Sequence, residues 1–252
     1  MFPALIHLAL ALLLAAFPAA FPAVAAEPPT AAPFVVSGDF APAGPGVARG
    51  AVVWLHGSYD SATETPPALP DWLLHLPRLG YDLWLFNRRR GEDPLAGSGE
   101  RLLEGLAGLR RAGYRRVVVA GFSRGAFIGL AALARPDLAD AVAAVSPAAH
   151  GTRTERRAQA LADFQERMKH AAGGRLALVL LRDDPWDPDP AARVAAAVAS
   201  RPAQAAGLLL IDRPDAPAGH MGSFDAPFDA RFGTCIAAFL DGVADAGACR
   251  DR

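Results

Sequence analysis

Val117-Val118-Val119-Ala120-Gly121-Phe122-Ser123-Arg124-Gly125 decides how this sequence folds: an apolar run passes straight into Gly-x-Ser-x-Gly and then into the helix-like run Ala126 to Ala134. A strand that turns directly into a helix holds the central serine on a tight, strained bend, a nucleophile elbow. Glycines on either side keep side chains out of that bend. The Ser123 hydroxyl is thereby raised at the carboxyl edge of a sheet, with a helix amino terminus behind it. The plain alternative is a Gly/Ser turn without chemistry, and the rest of the chain decides between the two.

Working outward, the same alternation recurs. Ala51 to Leu55, Tyr81 to Phe86, Ala141 to Val145, Leu176 to Leu181 and Leu208 to Ile211 are short apolar runs without a polar face, as in strands buried on both sides. Phe34-Val35-Val36 reads as a weaker edge strand. Between them lie helical patterns at Asp71 to Leu79, interrupted by Pro77, and at Ser98 to Arg111, where Leu102, Leu103, Leu106 and Leu109 share a face ahead of Gly113. Thr154 to His170, Pro190 to Ser200 and Phe224 to Val243 complete the helical set. Strands alternating with helices predict an α/β fold, a mostly parallel doubly wound sheet with helices on both faces.

The chain has 252 residues, a formal charge of −1 and 52% hydrophobic residues, enough for one sizeable core over 51–252. No basic tract extends beyond short clusters such as Arg88-Arg89-Arg90, so nothing points to nucleic acid. Leu5 to Phe17 is an apolar run of about a dozen residues, too short for a ~30 Å hydrocarbon core. It precedes Ala23-Val24-Ala25-Ala26, a small-residue cleavage pattern. Residues 1–26 therefore read as a secretory signal, although the positive flank is reduced to the terminal amine and His7. Residues 27–50 read as a Pro/Ala linker with the edge strand. The expected location is periplasmic or secreted, with no stable membrane anchor after cleavage. In such a compartment Cys235 and Cys249 fit a disulfide clipping the tail to the last helix.

A serine hydroxyl needs an adjacent base, and the base needs a third group to fix its tautomer. In a doubly wound sheet these come from loops at the carboxyl ends of strands. Of the histidines, His220 in Ala218-Gly219-His220-Met221-Gly222 follows the last strand and is the expected base. His150 is a weaker candidate. His75 and His170 sit in helical patterns, and His56 is read as a brace for its own loop. The acid comes from Arg182-Asp183-Asp184-Pro185-Trp186-Asp187-Pro188-Asp189, with Asp184 the first choice and Asp187 the second. This loop lacks the turn glycine and distal glutamate of a calcium site. No cofactor or metal is implied. Two backbone N–H groups must meet the oxyanion: that of Arg124, and that of Ser58 in His56-Gly57-Ser58, with Tyr59 as the alternative. Arg88, Arg89 and Arg90 read as a solvated loop, with anion binding as their other reading.

Together the elbow at Gly121 to Gly125, His56-Gly57, the acidic loop around Asp184 and Gly219-His220 resemble the α/β-hydrolase family, in its Ser, Asp, His order, from about Val52 to Leu240. The resemblance implies an eight-stranded, mostly parallel sheet and a hydrolytic serine triad. Between Ala148 and Gly174 there is room for about one helix, a minimal lid, as in the smaller esterase and dienelactone-hydrolase-like members, although here the nucleophile is serine and not cysteine. The implied activity is an exported serine hydrolase acting on small-molecule carboxylic esters. Amide or peptide cleavage, acyl transfer, and a non-catalytic binding protein on the same fold are the alternatives.

Overall fold

The computed structural model describes residues 33–58, 68–88, 94–150, 154–187, 189–201, 207–244 and 249. The leader, residues 27–32 of the linker, Tyr59, Arg89 and Arg90 lie outside these residues. Among the described residues the sheet has seven strands: β1 (Phe34–Val36), β2 (Gly50–Leu55), β3 (Tyr81–Phe86), β4 (Val117–Phe122), β5 (Ala141–Val145), β6 (Arg175–Leu180) and β7 (Leu208–Asp212). Their order is β1-β3-β2-β4-β5-β6-β7. Only β1 runs antiparallel, against β3. The eight strands implied by resemblance are thus not reproduced here. At the amino-terminal edge there is one short strand, matching the single weak signal at Phe34-Val35-Val36.

Seven helices are described: α1 (His75–Arg78), α2 (Leu95–Ala112), α3 (Arg124–Gly129), α4 (Arg157–Lys169), α5 (Pro190–Ala199), α6 (Ala226–Phe228) and α7 (Thr234–Asp241). Because side chains alternate along a strand, each apolar run feeds two cores. Val53, Leu55, Val119 and Leu178 meet Leu102, Leu106, Phe127 and Phe164 from α2, α3 and α4. Val52, Trp54, Val118 and Val179 meet Trp72, Leu76, Ile236 and Phe239 on the other face. Burial on both sides is why these strands carry no polar alternation. Gly113 closes α2 at φ 105°, the left-handed cap expected of it.

Some helices are more broken than their patterns suggest. The run after the elbow is α3 followed by a 3-10 segment, Leu130–Ala134. The last helical stretch divides into α6, a π-turn at Asp229–Gly233 and α7. At Gly233 a Cβ would lie 2.0 Å from Asp229 Oδ1, so only glycine admits the 2.8 Å contact between that carboxylate and His75 Nε2. Cys249 is disulfide-bonded to Cys235 on α7, closing a 14-residue separation, a link worth about 3 kcal/mol in the chain-entropy account. Asp82, buried at the start of β3, accepts the Ala43 and Gly44 N–H groups and the Tyr114 hydroxyl, which fixes the segment leading into β2.

Parallel register brings the carboxyl ends of five strands to one edge. Leu55 pairs with Gly121, Phe122 with Val145, Val145 with Val179 and Leu180 with Asp212. Every residue assigned chemistry from sequence follows one of these ends.

Candidate active site

Ser123 follows β4 at φ 54° and ψ −120°, a backbone conformation L-residues rarely hold. Three backbone bonds maintain it: its N–H donates to the Val145 carbonyl, and its own carbonyl accepts from Phe127 and Ala148. Both motif glycines are sterically required. A Cβ on Gly121 would sit 2.7 Å from the Ala126 nitrogen, and one on Gly125 would sit 2.1 Å from the Leu55 carbonyl oxygen. The elbow therefore packs backbone directly against the end of β2.

His220 reaches the serine from the loop after the edge strand β7. Its Nε2 lies 2.9 Å from Ser123 Oγ, and its Nδ1 lies 2.9 Å from each oxygen of Asp184. With the Nδ1 proton donated to the carboxylate, Nε2 is left as the acceptor for the serine proton. The acid and histidine loops are tied together by the Gly219 N–H, which donates to the Arg182 carbonyl at 2.7 Å. Asp184 also accepts the Trp186 N–H at 2.8 Å. The imidazole contacts the rings of Phe122, at a centroid distance of 4.9 Å, and Trp186, at 5.6 Å.

Asp187, the second-choice acid, does not face His220. It is buried against Arg193 of α5, Nε to Oδ1 3.2 Å, with 3% and 0% of the two side chains exposed. Arg193 also donates to the Pro147 carbonyl beyond β5 and lies over the Phe164 ring. Burial pushes the Asp187 carboxyl above the usual carboxylate range; the Arg193 charge opposes this and the Asp184 charge adds to it. The pair is tied to Asp184 through the backbone, the Asp187 N–H donating to the Asp184 carbonyl at 3.2 Å.

This arrangement predicts a pH-dependent cost. Arg193→Met leaves Asp187 buried without its counter-charge, which should lower stability by about 3–5 kcal/mol near neutral pH. A carboxyl whose folded pKa is raised favours the fold only while protonated, so the loss should shrink as pH falls toward about 4. The double variant Asp187→Leu/Arg193→Met should recover most of the stability at pH 7. Urea unfolding at both pH values measures all three.

The loop after β2 presses on Ser123: a Cβ on Gly57 would lie 3.3 Å from that of Ser123. His56 braces the loop as expected, its Nδ1 2.6 Å from the Gly57 carbonyl. Arg88 corrects the sequence expectation of a solvated residue. It is buried, and Nη2 donates to the carbonyls of His56 and Gly57. In a trans peptide the N–H points opposite the carbonyl, so the Ser58 N–H is turned away from Arg88. Ser58 itself is exposed. Arg124 is the first residue of α3, where N–H groups lack helical acceptors.

The other histidines pair elsewhere: His75 with Asp229, His150 with Asp163 and His170 with Glu166. Among the described residues no group of three His, Cys, Asp or Glu is placed to hold a metal ion. No described helix is long and apolar enough to cross a membrane.

No protein-family model matches the chain, and no curated protein matches it. Solved structures do. An esterase of Pyrococcus furiosus superposes with a TM-score of 0.57 at 17% identity, covering 77% of this chain and 82% of its own. A Paleococcus ferrophilus monoacylglycerol lipase gives 0.59 at 14%, covering 79% and 96%. Brefeldin A esterase, a bacterial homologue of human hormone-sensitive lipase, gives 0.54 at 16%, covering 87% and 73%. Strand order, the elbow on β4 and these superpositions agree: the chain has the α/β-hydrolase fold.

Proposed function

We propose that this chain is an exported serine hydrolase that cleaves carboxylic esters through an acyl-enzyme. The observation that carries the reading is the continuous hydrogen-bonded chain from Ser123 Oγ through His220 to Asp184, at the edge where the strand ends converge. Names of the superposing proteins, esterases and a lipase, support ester over other acyl substrates.

His220 takes the Ser123 proton as Oγ attacks the ester carbonyl. The tetrahedral oxyanion is held by the N–H groups of Ser58 and Arg124, each contributing roughly 3 kcal/mol. His220 then returns the proton to the alcohol oxygen as the C–O bond breaks, leaving an acyl group on Ser123. Water, deprotonated by the same base, releases the carboxylic acid. Asp184 keeps the imidazole in the correct tautomer and stabilises its cationic form. Arg88 acts through the His56-Gly57 carbonyls, orienting the peptide that presents the Ser58 N–H. Export rests on residues 1–26 as the cleaved leader, with 27–50 as the lead-in and 51–252 as the catalytic domain.

The test is a substrate panel on the purified protein: a p-nitrophenyl ester, a peptide amide, and the ester with an added alcohol acceptor. Ester hydrolysis well above the amide, with the acid as main product, is the expected result. Preferential amide cleavage, or transfer to the alcohol as the dominant outcome, overturns it.

A further inference from the structure

Trp186 stands out among the residues around His220. Its ring is 5.6 Å from the imidazole, at 39°, yet 37% of the residue is open to solvent. Its position is fixed from below: Pro185 precedes it, and its N–H is bonded to Asp184. An aromatic anchored in this way can receive a ligand with little ordering cost. Met221, next to His220 in the chain, is 53% exposed. The triad thus carries an accessible apolar margin on its histidine side.

What passes that margin follows from the chemistry, on the reading proposed above. The carbonyl oxygen turns toward the N–H groups of Ser58 and Arg124. The alcohol oxygen must lie within reach of His220 Nε2, because that atom gives it the proton. The remainder of the alcohol therefore leaves along the histidine, beside which the Trp186 ring lies and which Met221 follows in the chain. We propose that Trp186, with Met221, forms the alcohol-side subsite and selects esters whose alcohol portion is bulky and apolar, an arylmethyl group foremost. A flat ring stacked on the indole buries apolar surface on both partners and gains the aromatic pair contact. A methyl group reaches neither.

The test compares benzyl acetate with methyl acetate in the wild type, Trp186→Ala and Trp186→Phe. Both esters give the same acetyl-enzyme, and their alcohols are of similar acidity, so the ratio of kcat/KM reports recognition of the alcohol. The wild type should favour the benzyl ester, Trp186→Ala should lower the benzyl-to-methyl ratio by about tenfold, and Trp186→Phe should restore part of it. Because each ratio is taken within one protein sample, partial unfolding cancels. Methyl hexanoate against methyl acetate should show no such change, since the acyl side is untouched. An unchanged benzyl-to-methyl ratio in Trp186→Ala, as expected if the indole only shields the His-Asp pair, overturns the proposal. A wild type that hydrolyses none of these esters defeats the hydrolase reading instead.

Discussion

On the proposed mechanism, replacing Ser123 with alanine should lower ester turnover by about a millionfold while the fold persists. The size follows from the group removed. In the proposed mechanism, loss of the hydroxyl means that no acyl-enzyme forms and His220 has no positioned proton to accept. What remains is the background from bound substrate near the oxyanion donors. Alanine bears the same backbone strain at φ 54°, and the bonds that hold the bend are all made by main-chain atoms. Circular dichroism and thermal melting should therefore match the parent closely. Residual turnover within tenfold of the parent would place the chemistry elsewhere.

The second large effect separates two neighbouring carboxylates. Asp184→Asn should lower kcat by about ten-thousandfold, because an amide nitrogen facing Nδ1 stabilises the wrong imidazole tautomer. Its stability should fall little. Asp187→Asn should do the reverse, keeping near-parental kcat while leaving the buried Arg193 guanidinium without its anion, a loss of about 3–5 kcal/mol. Steady-state ester kinetics and urea unfolding on the same preparations read both columns. If the kinetic loss fell on Asp187→Asn, the acid would be Asp187 and the loop would have to rearrange to bring it to His220.

Much of this arrangement is legible in the residues. A strand buried on both faces leaves an uninterrupted apolar run, so Val52 to Leu55 and Val117 to Ala120 could be recognised without knowing their neighbours. Gly121 and Gly125 mark the elbow because the adjacent backbone leaves no room for a Cβ. The choice between Asp184 and Asp187 was not legible. It depends on the turn at Asp183, φ 58°, and on a partner from a helix later in the chain. That partner did leave a trace: Arg193 is the one charged residue in the apolar helix Pro190–Ala199. Arg88 was hidden differently. The run Arg88-Arg89-Arg90 looks like a solvated loop, yet period-two alternation continues from Trp84 and Phe86, both in one of the two cores, to Arg88, which is also buried. The breaks in the last helix depend on His75 and Asp229 meeting across elements, a contact that no local pattern encodes.

Trypsin cuts after Arg116 and Arg124, and the peptide between them, Val117 to Arg124, contains one serine. Treating the purified protein with a fluorophosphonate and mapping the adduct by mass spectrometry thus asks directly whether that hydroxyl is activated. The account predicts a single adduct on this peptide, formed rapidly in the parent and barely at all in His220→Ala. An adduct on another peptide, no adduct, or labelling that proceeds equally well without His220 would contradict it.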